Sequence, residues 1–76
     1  MNKERRQRLA KAQTLVEQAK DIVEDVKSEE EDVLYNMEEN FSGTERYAQI
    51  ESNVENLDEL VDTLDDVIDQ FDTIED

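Results

Sequence analysis

Apolar residues recur along this chain at alternating intervals of three and four. Leu9, Ala12, Val16, Ala19, Val23, Val26, Val33 and Met37 carry the pattern in the first half, with Glu30 as its polar interruption. Tyr47, Ile50, Val54, Leu57, Val61, Leu64, Ile68 and Phe71 carry it unbroken through the second. Such spacings mark heptad a and d positions on two long helices. Between them lies Asn40-Phe41-Ser42-Gly43-Thr44, which holds the one glycine of a chain without proline, so the chain turns there. Ser42 and Thr44 are candidate N-caps, and Ser42 with Glu45 fits a capping box. The pattern predicts an all-α, antiparallel, coiled-coil-like two-helix hairpin forming a single domain over residues 1–76. Helix one is expected at about 4–39, the turn at about 40–44 and helix two at about 45–74. At ~1.5 Å per residue such a hairpin is roughly 45 to 50 Å long.

Folding about Gly43 brings together residues whose numbers sum to about 84, so that Val23 meets Val61, Val16 meets Ile68 and Val26 meets Leu57. On one flank Lys27 then faces Asp58 and Lys20 faces Asp65, an arrangement that selects the antiparallel register although each exposed pair contributes little. On the other flank Leu15 faces Val67 and Ile22 faces Leu60. With Ile74 they make an apolar edge wider than a two-helix seam buries, and such an edge calls for a further partner. Self-association into a homodimeric four-helix bundle satisfies it, and so does a helix of another protein.

Charge narrows the choice of partner. The chain has 23 acidic and eight basic residues in 76, a formal charge of −15, and no histidine or cysteine. Such acidity with few aromatic residues would suggest disorder were the apolar positions not periodic. It repels nucleic acid and anionic membrane and attracts basic protein surfaces. No run is long and apolar enough for a membrane span or a signal peptide, which predicts a soluble cytoplasmic protein.

On helix two an acidic stripe runs through Glu51, Glu55, Asp58, Asp62, Asp65, Asp69, Asp72 and Asp76, with no basic residue after Arg46. Like charges three and four apart destabilise a helix by roughly 0.2 to 0.5 kcal/mol a pair, so selection for helix stability alone would have interspersed lysines. Helix one adds a second acidic face through Glu17, Glu24, Asp25, Glu31, Asp32, Glu38 and Glu39. From Ala12 onward 22 carboxylates face three basic residues. The net charge is then one per ~2.6 Å of hairpin axis, against one per ~1.7 Å in duplex DNA. Two functions fit: an inhibitor that imitates a nucleic-acid backbone on a basic protein surface, and a structural or adaptor protein whose acidity serves solubility alone. The basic segment Lys3, Arg5, Arg6, Arg8 and Lys11 could read as an RNA-binding or membrane-surface arm, but the hairpin is expected to set it beside Asp69, Asp72, Glu75 and Asp76, which neutralise it. Tyr35, Asn36, Phe41 and Arg46 gather at the hairpin tip as a second candidate recognition element, or as ordinary turn packing over Tyr47.

Catalytic equipment is not recognisable. Nucleophile and base pairs cannot be assembled without histidine or cysteine, and there is no Gly-rich phosphate loop or EF-hand loop. Asp21-x-x-Glu24 and Glu55-x-x-Asp58 resemble the paired acidic motifs of all-helical nucleotide pyrophosphohydrolases, but no lysine or arginine is placed on the same faces for phosphates. The expectation is a protein that is not an enzyme, with no cofactor and no metal site.

Around the turn, Glu29-Glu30-Glu31, Tyr35-Asn36-Met37-Glu38-Glu39-Asn40-Phe41 and Thr44-Glu45-Arg46, together with the opening Asn2-Lys3-Glu4-Arg5-Arg6, resemble short acidic helical proteins of phages and prophages. Glu38 stands where that group often has proline, and Tyr47 where it has a small residue. The group carries no established activity. The resemblance implies a phage-encoded accessory protein acting in a bacterial cytoplasm.

Overall fold

The structure, a computed structural model, describes residues 1–41 and 43–75, with the side chains up to residue 37 and from residue 43 onward. It is an antiparallel hairpin of two helices, α1 (Lys3–Phe41) and α2 (Glu45–Phe71), packed along their length. Its dimensions are 58 × 15 × 13 Å, longer than expected because α1 has 39 residues and overhangs the 27 of α2.

Local chemistry sets the ends. Asn2 caps α1, its side-chain oxygen accepting from the Arg5 backbone N–H at 2.8 Å. α1 runs two residues further into the turn than the heptad pattern predicts. Gly43 then reverses the chain at φ +92°, a left-handed conformation that a side chain disfavours. Thr44 caps α2, its hydroxyl accepting from the Tyr47 N–H at 3.1 Å. The capping box expected from Ser42 falls outside the described residues, and with Thr44 as cap the reciprocal position belongs to Tyr47, which has no carboxylate to return.

α2 stops at Phe71, three residues short of expectation. Bonds from the N–H groups of Asp72, Thr73 and Ile74 to the carbonyls of Asp69, Gln70 and Phe71 replace the α-helical pattern with tighter turns. The last turn of α2 contains no basic residue of its own, and Asp69 and Asp72 lie at the negative end of the helix dipole, which favours that early end.

The seam is shallow. Ile50 and Val61, 6% and 9% exposed, are its buried residues among those described, and no side chain is fully enclosed. α2 presents its a and d positions to α1 as expected, but α1 is turned away from the predicted centre. Leu9, Val16, Val23, Glu30 and Met37 line its middle, while Val26 and Val33 lie partly outside and Leu34 is drawn in. The lysine stems at 20 and 27 occupy the flank of the seam on the same side as Leu34, and an apolar stem with a solvated ammonium is well suited to that place.

Candidate functional site: one acidic face and one apolar edge

Lys27 Nζ donates to Asp58 Oδ1 at 2.7 Å and stands 3.6 Å from Glu31. Lys20 repeats the arrangement one heptad earlier, bonded to Asp65 and 3.5 Å from Glu24. Both interhelical pairs predicted from the register are therefore formed. Each lysine is held between carboxylates of both helices. The hydrogen bonds to Asp65 and Asp58 are the chief cause that raises the two lysine pKa values above 10.5, opposed by partial desolvation and aided by Glu24 and Glu31.

This contact reorganises the predicted acidic surfaces. Within the stripe, Glu51, Asp58, Asp65 and Asp72 recur every seven residues on the side toward α1, and Glu55, Asp62 and Asp69 form a second row turned further outward. Glu17, Glu24 and Glu31 form the corresponding outer row of α1. Because each lysine touches one member from each helix, these rows belong to a single long face, with Lys20 and Lys27 sunk along its midline. Asp25 and Asp32 follow Glu24 and Glu31 by one residue, about 100° round the helix, and lie on its far side. Asp65 is half-buried and the other described stripe carboxylates are exposed. Asp76 and the side chains of Glu38 and Glu39 lie outside the described residues.

Charge is also uneven along the axis. Between residues 24 and 60, the half nearest the turn, thirteen carboxylates meet only Lys27 and Arg46, for a formal −11 of the total −15. At the open end, residues 1–13 and 69–76, five basic and five acidic residues balance. Arg6 and Glu75 line a common cleft there with Leu9 and Phe71, which brings one residue of the basic segment beside one of the acidic tail. Arg8 stands 3.8 Å from Glu4 of its own helix.

On the opposite flank Leu15, Ile22, Leu60 and Ile74 are 55%, 64%, 43% and 52% exposed. Val67 is half-buried, in a furrow with Leu9, Phe71 and Ile74. A second furrow continues the edge toward the turn, lined by Val26, Leu57 and Leu60 together with the polar residues Glu30, Asn53 and Asn56. The edge is therefore longer than predicted and includes Val26, which the heptad assignment had placed inside.

At the tip Tyr35 is 75% exposed, and Asn36 and Arg46 are exposed too, whereas Tyr47 is half-buried. The Phe41 side chain lies outside the described residues. Among the described residues no three carboxylates form a group able to hold a metal ion, and no helix is long and apolar enough to cross a membrane. Asp58 and Glu24, members of the two acidic pairs, are engaged by Lys27 and Lys20. The role of the two lysines as the midline of a face, rather than as pairing devices alone, was missed. The signal lay in Glu24 and Glu31, each four residues after a lysine. No family model, curated protein or solved structure matches the chain.

Proposed function

We propose that this chain is a non-enzymatic binding protein whose long acidic face occupies the basic surface of a nucleic-acid-binding protein, in place of the nucleic-acid backbone. One observation carries the reading: Lys20 and Lys27 are drawn in between carboxylates of both helices, so the outer rows of the face are acidic throughout. Along α2 the stripe carboxylates rise by about 5 Å per step, the scale of successive phosphates along a strand. Inhibition of a host or defence protein by a phage-encoded partner in a bacterial cytoplasm is the setting that suits such a face.

Affinity capture from a bacterial lysate at low and high salt tests it, with Glu55→Gln/Asp62→Asn/Asp69→Asn alongside the parent chain. The parent should recover nucleic-acid-binding proteins that salt releases, because such attraction is screened within ~8 Å at physiological ionic strength. The triple variant should lose them. Equal recovery by both chains refutes the mimicry.

A structural or adaptor role is the second reading, and the exposed apolar edge favours it. In that role two hairpins associate through Leu15, Ile22, Leu60, Val67 and Ile74 into a four-helix bundle, which strengthens as salt screens the doubled charge.

A further inference from the structure

We infer that two copies of this chain stack through the apolar edge with their turns at opposite ends, α1 lying antiparallel on α1 and α2 on α2. The inference rests on self-association through that edge and is independent of the acidic-face reading.

The accessible surface is 6001 Å² for an 8.9 kDa chain. A compact monomer of that mass exposes about 4,800 Å² by the usual scaling. The surplus exceeds the roughly 800 Å² that each partner buries in an interface of standard size. Charge then selects the orientation. Turns placed together would bring two halves of formal charge −11 into register, whereas turns placed apart set each against the other copy's balanced open end.

The edge itself carries a finer signal. One row of α1 reads Arg8, Leu15, Ile22, Glu29 at seven-residue intervals. Placed antiparallel on its own copy, Leu15 packs on Ile22 of the second copy while Arg8 meets Glu29 at both ends, four residues satisfied by one symmetry axis. The α2 row has the same character, with Leu60 on Val67 of the second copy. The axis between Leu15 and Ile22 and the axis between Leu60 and Val67 coincide to within about 5 Å along the hairpin, less than one helical turn. With the turns together, α1 would lie on α2 of the second copy and Arg8 would have no Glu29 opposite.

The chain has no cysteine, so one label site can be introduced cleanly. Tyr35→Cys, exposed and near the turn, should give a spin-label separation near 50 Å in the dimer, from twice the distance to the axis at ~1.5 Å per residue. A separation below about 35 Å, within the width of a bundle, overturns the orientation and leaves self-association standing. Sedimentation equilibrium supplies the second readout. Arg8→Glu should weaken the dimer about threefold to tenfold, as expected for reversing two exposed ion pairs, and Arg8→Glu/Glu29→Arg should restore it. A monomer throughout overturns self-association and the orientation together. A dimer that Arg8→Glu leaves unchanged overturns the pairing on which the orientation is argued.

Discussion

The two long flanks of the hairpin are built from the same heptad arithmetic and end in opposite states. On one flank Lys20 and Lys27 bridge to Asp65 and Asp58, and their stems close the seam against water. On the other, Leu15, Ile22 and Leu60 stand exposed, Ile22 at 64%, and Val67 is half-buried. The charged flank specifies register and contributes little energy. The apolar flank holds most of the area still available for burial, and the hairpin alone leaves it in water. Satisfaction and stability are thus divided between two sides of one small protein.

The largest effect that sharpens this contrast lies between the flanks. Ile50, 6% exposed, is one of the two buried side chains among the described residues, and Ile50→Ala should cost about 2 to 4 kcal/mol, enough to unfold much of a domain this size. Ile22→Ala should cost under about 1 kcal/mol in a dilute, monomeric sample, since its side chain is largely in water already. Urea titration followed by helical circular dichroism measures both. If the two variants lose equal stability at a dilution where the chain is monomeric, the apolar flank is not open.

The turn bears on both flanks at once. Gly43→Ala meets no atom within 4 Å, so its cost is that of φ +92° for a residue with a side chain, about 1 to 2 kcal/mol. The same titration should show this loss with the ion pairs and the edge unaltered. A neutral substitution would mean that the turn adopts a different backbone.

Much of this architecture is legible in the sequence. Unbroken heptads over Tyr47 to Phe71 place α2 correctly, and the pairing of numbers about Gly43 predicts both interhelical ion pairs. The rotation of α1 was not legible. Its apolar strip is broad enough to centre in more than one way, and Glu30, read as an interruption, is half-buried in the middle of the seam while Val33 gives way to Leu34. Such a choice depends on where lysine stems lie, which spacing alone does not encode. The sequence names the carboxylates one by one, whereas the union of the described rows into one face, with Asp25 and Asp32 left outside it, follows from the lysines standing between the helices. The end of α2 at Phe71 does not follow from apolar period, because carboxylates at the negative end of the helix dipole disfavour the last turn.

A smaller effect tests whether the charged flank specifies register. Lys27→Glu should lower the melting temperature slightly, by placing a third carboxylate between Asp58 and Glu31, and adding Asp58→Lys should recover the loss by reversing the pair. Recovery measured as a double-mutant cycle identifies a direct interaction. Additive losses would mean that the two residues do not meet.

The smallest effect is a dependence on alkaline pH. Hydrogen bonds to Asp65 and Asp58 raise the pKa values of Lys20 and Lys27 above 10.5 in the folded chain, with Glu24 and Glu31 contributing in the same direction. A lysine whose folded pKa exceeds its unfolded one binds its proton more tightly in the hairpin, so its contribution is fully present below 10.5. That contribution is lost as pH rises through the folded values, because the folded chain then gives up its advantage in bound protons. Thermal unfolding between about pH 9 and about pH 12 should show the midpoint falling only in the upper part of that range. Lys20→Met/Lys27→Met keeps the stems, removes the titrating groups and retains Lys3, Lys11 and both tyrosines as internal controls. The difference between parent and double variant should therefore shrink as the lysines deprotonate. A difference that stays constant across the range would show that the titrating ammonium groups are not its source.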